Sequence, residues 1–456
     1  MSRVEEILVS SGQQALLEHW RKLQGEERVA FESEFADLSP PLLHELQEAL
    51  RAKPLPGATR FEPLASLVRG VDAEFDQAAF QSGQAALRDG RVAALIVAGG
   101  QGTRLGLSGP KGKFPAGPVT GASLFSIFAR KVLRRSRDAG KAIPLCVMTG
   151  PENDAETRAH FAEHAFFGLE RSQVHFFVQG TLPAMDQHGQ ILLRTKTQLF
   201  RSPDGHGGTL RALHDSGLLL HLEQAGIESL FYFQVDNPLV DVCDPWFLGA
   251  HAMRASEFSS KAVSKRGPDE KVGVLGRIDG LPGVIEYSDL PSALREERLA
   301  SGALRFDAGN IAIHVIDVGF VRRLVSGANK LPVHLARKDI PCLGADGQVR
   351  TCAGIKFETF IFDAMRSARN PLLVMVNRED EFSPIKNRQG DDSPESCRRD
   401  QMAQWIRWLS AAGVAFSATL ADGSSRAIEI SPLTALGPED LGFLVGRDLP
   451  NGDLVL

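Results

Sequence analysis

The sequence has little with which to cross a membrane or to coat a nucleic acid. None of its 456 residues fall in an uninterrupted apolar run approaching about 18 positions, so no bilayer-spanning helix is expected. Residues 1–30 carry Glu5, Glu6, Glu18 and Arg21 and no long apolar core, which argues against a secretory leader. Lys and Arg number 51 against 56 Asp and Glu, a net charge of −5, leaving no surplus of positive charge to neutralise a phosphate backbone. Cysteine is scarce. Cys146, Cys243, Cys342, Cys352 and Cys397 are scattered, odd in number and without a C-x-x-C pair, which points to a reducing compartment and away from structural zinc. Internal repeats and low-complexity tracts are also absent. The expectation is a cytoplasmic protein with no nucleic-acid or membrane partner, either a monomer or a homodimer.

What is present is ample apolar material, 43% of the chain, and more length than the ~250 to 300 residues at which single cores stop growing. Val4, Ile7, Leu8, Leu16, Leu17, Leu23, Phe31 and Phe35 recur at helical spacing, and Pro40 and Pro41 open a further helical turn before a Pro54 to Pro56 linker. From Val92 onward strands alternate with helices, the pattern of an α/β fold with a central, mostly parallel sheet. Candidate strands are Val92 to Val97, Pro144 to Met148, Gln173 to Val178, Ser229 to Val235, Lys271 to Ile278, Ile311 to Val315 and Leu372 to Val376. The Lys131 to Arg137 cluster reads as a solvated helix face. Asn387 to Ser396 reads as a polar, mobile loop. A helical stretch from about Arg398, with Trp405 and Trp408, leads into short apolar pieces. The expected regions are therefore a helical N-terminal region (1–90), a large α/β region (91–395) and a small C-terminal domain (396–456).

Chemistry concentrates at Leu95 to Gly112, LIVAGGQGTRLGLSGPKG, where a buried-type strand stops at a glycine cluster. Glycines there let successive backbone N–H groups approach an anionic oxygen or a base edge, and Arg104 and Lys111 add positive charge. Two better-known loops are excluded by spacing. Gly100, Gly102 and Gly106 give G-x-G-x-x-x-G rather than the dinucleotide fingerprint, and Gly112-Lys113 is followed by Phe114 rather than by the Ser or Thr of a Walker A loop.

Further runs accompany this loop: FFVQGTLPAM at 176–185, PDGHGG at 203–208, VDNPLV at 235–240, VGVL and VIEYSDL within 272–290, FDAGNIA at 306–312, GIKFETFIFD at 354–363 and NREDEFSPIKN at 377–387. With them the chain resembles the eukaryotic-type UDP-N-acetylglucosamine pyrophosphorylases, within the UDP-sugar pyrophosphorylase family. The resemblance implies a nucleotidyltransferase fold, Rossmann-like and GT-A-like, flanked by small N- and C-terminal domains. It implies a uridylyltransferase that joins UTP to a sugar 1-phosphate with release of pyrophosphate, with Mg²⁺ as cofactor. N-acetylglucosamine 1-phosphate is the first expectation for the sugar; glucose 1-phosphate or a broad sugar range is the alternative.

The same resemblance assigns residues. Lys111, Lys386 and Arg104 would act on the reacting phosphates, where preorganised positive donors stabilise spread negative charge. Ala98, Gly99, Gly100, Gln179, Gly205, Asp236 and Lys356 would hold the nucleotide. Asp236, at the end of an apolar strand, would also be the metal ligand. Gly273, Glu286 and Asn310 would hold the sugar, together with His206. That histidine departs from the family's PDGNGG, and an imidazole titrating near neutrality would reshape the sugar site. His160, His164 and His175 show no metal-ligand spacing and read as structural or surface residues. Two rivals are a UDP-sugar-using glycosyltransferase, which would favour a D-x-D motif over the Asp236-Asn237-Pro238 found here, and a non-catalytic sensor of uridine nucleotides.

Overall fold

Alternation of apolar and polar side chains is missing from Val92–Val97, and five of its six residues are buried. Such a strand needs cover on both faces and belongs inside a parallel sheet. The computed structural model, which describes residues 2–52, 60–287, 289–327, 330–344, 347–417, 419, 426–449 and 452–456, places it there. The Pro54 to Pro56 linker lies outside the described residues. The chain divides into two compact units, each assembled from three separated stretches.

The larger unit comprises Arg60–Val178, Leu213–Asn329 and Ala364–Leu456. Its sheet contains β1 (Ser66–Val68), β2 (Val92–Val97), β3 (Leu145–Thr149), β4 (Val174–Val178), β5 (Ser229–Gln234), β6 (Phe258–Ser264), β7 (Ala308–Asp317) and β8 (Leu372–Val376), in the order β1-β8-β6-β7-β5-β2-β3-β4. Every pairing along this row is parallel except the two made by β7, so the sheet is mixed but mostly parallel. A side ribbon of Phe61–Pro63, Val274–Ile278 and Leu281–Ile285 joins it through β7. The expected strand over Lys271 to Ile278 begins three residues later, at Val274, because Lys271, Val272 and Gly273 lead into the ribbon without pairing.

Ile96, Phe231 and Phe233 of the sheet share one core with Phe125, Phe128 and Val132 from the helix Leu124–Ala139, and with Phe161 from the helix Asp154–Glu163. Ser123 caps the first of these helices by accepting from the Ser126 backbone N–H at 3.2 Å. The C-terminal stretch has its own core of Trp405, Leu409, Ile428, Leu441 and Leu454, built around the helix Pro394–Ala411.

The smaller unit comprises Met1–Thr59, Gln179–Ala212 and Lys330–Asp363. Its N-terminal stretch folds, among the described residues, into the helices Arg3–Ser10, Gln14–Lys22, Gly25–Ser33 and Pro40–Arg51; Ser2 and Ser39 cap the first and last. Leu8, Leu17, Trp20, Phe31 and Leu46 pack in one cluster with Met185, Ile191, Ile355 and Phe357. The helices thus complete their core with residues from far along the sequence. The hairpin Val333–Leu343 and Val349–Thr359 supplies Ile355 and Phe357 and holds a Cys342–Cys352 disulfide with Cα atoms 6.3 Å apart. The scattered cysteines gave no reason to expect this pair, because hairpin register rather than a spacing motif brings it together. Cys146, Cys243 and Cys397 are buried free thiols.

Candidate active site

In open α/β sheets ligands collect beyond the carboxyl ends of the strands, and the loop after β2 leaves from that end. Ala98 is buried, and its N–H still pairs with Met148 O at 2.8 Å, so the loop proper begins at Gly99. It closes on itself: Gly102 N–H donates to Gly109 O at 2.9 Å and Lys111 N–H to Gly100 O at 3.2 Å. Asn153 then ties it down from the next strand, donating through Nδ2 to Ala98 O at 3.1 Å and Gly100 O at 3.3 Å. At Gly150 a Cβ would stand 2.8 Å from Gly99 O, so this approach requires glycine. Neither Asn153 nor Gly150 was singled out from the sequence; the apolar strand ending in TGPEN held the only signal. Arg104 is exposed on a 3-10 turn of the same loop.

The ordered loop brings Lys111 to Asp236. Lys111 Nζ lies 3.4 Å from Asp236 Oδ2, where β5 ends, and both side chains are largely buried. Asp236-Asn237-Pro238 is more than a turn. The Asn237 amide donates to Glu381 O at 2.7 Å and accepts from Ser383 N–H at 3.0 Å, while Ile385 N–H donates to Asp236 O at 2.8 Å. These three bonds staple the SPIKN segment to the strand end, so Lys386 follows a backbone fixed against Asp236. Lys386 itself is exposed.

A buried charge cluster underlies the staple. Fully buried Lys261 donates to Asp244 Oδ2 at 2.8 Å and Glu381 Oε1 at 2.5 Å. Burial opposes the Lys261 charge, but the two carboxylates outweigh it and raise its pKa. At Glu381 burial dominates, and the carboxyl is pushed up to about 7.

The expected sugar residues also meet. Asn310 N–H donates to Gly273 O at 2.8 Å, and a Cβ on Gly273 would stand 3.5 Å from Glu286 Oε1. Strand β7 bulges between Asn310 and Ile313, with Ala312 at φ 55° and its N–H bonded to Asn310 Oδ1 at 3.0 Å. Bulges of this kind re-aim side chains beside functional sites.

Gln179, Gly205, His206 and Lys356 belong to the smaller unit. Gln179 is buried, and its Nε2 donates to Asp204 Oδ1 at 3.1 Å and Gly205 O at 2.8 Å. Both amide hydrogens are therefore used and only Oε1 is left, an acceptor suited to an imide N–H. The side chain thus presents an acceptor alone, rather than the donor and acceptor that a free side-chain amide would bring to the imide edge of a base. Burial pushes the Asp204 carboxyl up to about 7 against the Gln179 hydrogen bond, which lowers it. Asp204 was not picked out from the sequence.

His206 differs from expectation in its charge. Its Nδ1 accepts from Ile361 N–H at 3.2 Å, and its ring stacks on Phe360 with centroids 5.3 Å apart. Burial lowers its pKa to about 4, so the ring is neutral where titration near neutrality had been expected. Lys356 Nζ lies 5.5 Å from the Phe200 ring centroid, a cation–π arrangement.

The Lys131 to Arg137 reading also needs correction. Lys131 donates to Pro238 O and Val240 O, both at 2.7 Å, and Arg135 bonds Asp241 at 2.6 Å. The two are spaced i,i+4 and so share one helix face, here turned to the segment after Asp236 rather than to water.

The family described as UTP-glucose-1-phosphate uridylyltransferase matches residues 67–391. The UDP-N-acetylhexosamine pyrophosphorylase-like protein 1 of Xenopus tropicalis is 34% identical over 98% of this chain and 94% of its own length. The UDP-N-acetylglucosamine pyrophosphorylase of Saccharomyces cerevisiae is 33% identical over 100% of both. Among solved structures, the uridine diphosphate N-acetylglucosamine pyrophosphorylase from Trypanosoma brucei in complex with inhibitor is 30% identical and superposes with a TM-score of 0.85, covering 100% of this chain and 98% of that one. By the extent of the family match and of its full-length relatives, the chain belongs to the UTP-glucose-1-phosphate uridylyltransferase family.

Proposed function

We propose that this chain is a cytoplasmic, Mg²⁺-dependent uridylyltransferase that joins UTP and N-acetylglucosamine 1-phosphate to give UDP-N-acetylglucosamine and pyrophosphate. The observation that carries the reading is the Lys111–Asp236 pair at the end of β5, with the Lys386 segment stapled to the same strand end. In the reaction an oxygen of the sugar phosphate attacks the α-phosphorus of UTP in line. A new P–O bond forms as the bond to the departing pyrophosphate breaks. Lys111, Arg104 and Lys386 hold the phosphates and stabilise charge that spreads in the transition state. Ala98, Gly99 and Gly100 line the nucleotide loop, Lys356 adds a further phosphate contact, and Gln179 Oε1 with Gly205 recognises the uracil imide. Gly273, Glu286 and Asn310 take the sugar.

The donor set fits Mg²⁺, which usually takes one or two carboxylates and completes its shell with substrate phosphates and water. Asp236 offers one carboxylate, poised by Lys111 on Oδ2. When bound, the ion would neutralise phosphate oxygens and orient them; Asp236 would hold it.

A second reading, a uridylyltransferase for glucose or galactose 1-phosphate, draws on His206, because a stacked neutral imidazole is bulkier than an amide. The test is pyrophosphate release from UTP and Mg²⁺ with N-acetylglucosamine, N-acetylgalactosamine, glucose and galactose 1-phosphates. N-acetylglucosamine 1-phosphate is expected to give the highest kcat/KM, and a glucose or galactose preference would replace the first reading with the second. Asp236→Asn should abolish the Mg²⁺ dependence together with most of the rate.

A further inference from the structure

Among the described residues, one set of three metal-ligating side chains converges: His160, Glu163 and His164, with one ligand atom of each within 4.8 Å of the others. Residues spaced i, i+3 and i+4 share one helix face, and these close the helix Asp154–Glu163, with His164 as its C-cap. The reading that these histidines show no metal-ligand spacing overlooks their i, i+4 interval, with Glu163 between them.

Several features prepare the group for a cation. His164 Nδ1 lies 2.9 Å from His160 O and donates to that carbonyl, which leaves Nε2 with its lone pair. Ring orientations are fixed in advance: His164 stacks on Phe167 at 5.3 Å and 22°, and His160 packs against Phe125 and Phe167. Ser123 Oγ faces His160 Nε2 at 3.4 Å. The carbonyl end of a helix favours positive charge, and Glu163 has no ion pair among the described residues. Directly beyond, Ala165, Phe166 and Phe167 adopt φ of 48°, 52° and 56°, a left-handed run that non-glycine residues rarely sustain. Phe166 and Phe167 both pack beside Phe161, which helps to hold the run.

We propose that His160, Glu163 and His164 form a structural site for a first-row transition-metal ion, Zn²⁺ in particular, that pins the last turn of this helix ahead of the left-handed turn. Two imidazoles and a carboxylate match the preference of Zn²⁺ for nitrogen and oxygen ligands, with water completing a tetrahedron. Mg²⁺, which favours an all-oxygen octahedral shell, does not fit. The site is thus distinct in chemistry from the one proposed at Asp236.

The test is calorimetric titration of the chelator-stripped full chain with Zn²⁺, and separately with Mg²⁺, alongside thermal melting. Wild type is expected to take up one Zn²⁺ that His164→Ala does not take up, to melt higher with Zn²⁺, and to bind Mg²⁺ equally in both proteins. Glu163→Gln, at an exposed position, should bind Zn²⁺ more weakly, and far-UV circular dichroism checks that both variants fold. No zinc uptake by wild type, or equal uptake by wild type and a His160→Ala/His164→Ala variant, would overturn the site.

Discussion

The two glycine-rich stretches, GGQGTRLG with PKG in the larger unit and PDGHGG in the smaller, treat charge in opposite ways. At the first, Lys111 and Asp236 form an ion pair, and the lysine of the neighbouring SPIKN segment stays exposed. At the second, burial pushes Asp204 up to about 7 and His206 down to about 4, so both move toward their neutral forms. Phosphates call for retained cations. On the proposed function, a uracil imide and a sugar would call for directional, neutral hydrogen-bonding groups, which burial of Asp204 and His206 favours.

Removing the cations from the first stretch should give the largest effect. Lys111→Ala and Lys386→Ala are each expected to lower kcat by about 100- to 1000-fold while melting like wild type. Wild-type turnover in either folded variant would remove that residue from the phosphate-holding set. The next effect concerns stability. Lys261→Met leaves Asp244 and Glu381 buried without their shared cation, and removing one partner of a buried ion pair costs about 3 to 5 kcal/mol. Denaturant unfolding measures it; an unchanged midpoint would mean that the carboxyls neutralise themselves without loss.

The smallest effects sharpen the second half of the comparison through pH. Asp204 has a folded pKa above its ordinary value of 3.8, so its contribution to stability is present at acid pH and is lost as pH rises toward about 7. His206 has a folded pKa below 6.5, so its contribution is present above that value and is lost as pH falls toward about 4. Melting curves should therefore show the deficit of Asp204→Asn shrinking from pH 4.5 to pH 8, and that of His206→Asn growing over the same range. Parallel pH profiles for the two variants would break the contrast.

The sheet was legible because buried strands announce themselves: Val92–Val97 and Leu372–Val376 coincide with their apolar runs. The glycine loop after Val97 was legible because its glycines and cations are contiguous in sequence. What could not be read was pairing across distance. Nothing in DNP says that Asn237 will staple Ser383, and nothing in PDG says that Asp204 will take one hydrogen of Gln179 and so fix which face of the amide is presented. Lys131 and Arg135 misled for the same reason: basic residues on a helix look solvated until the carbonyls and carboxylate they reach are known. His160 and His164 were visible, but their i, i+4 interval was passed over, and the nearness of Glu163 to both follows only from the helix that carries them.

The chain path through the smaller unit bears on synthesis at the ribosome. Leu8, Trp20 and Phe31 emerge early, yet the Ile355 and Phe357 that complete their cluster follow more than three hundred positions later. At roughly 5 to 20 residues per second that interval is on the order of 15 to 60 s. For that time the four nascent helices hold an unfinished apolar face, the interval in which holding chaperones have most to protect.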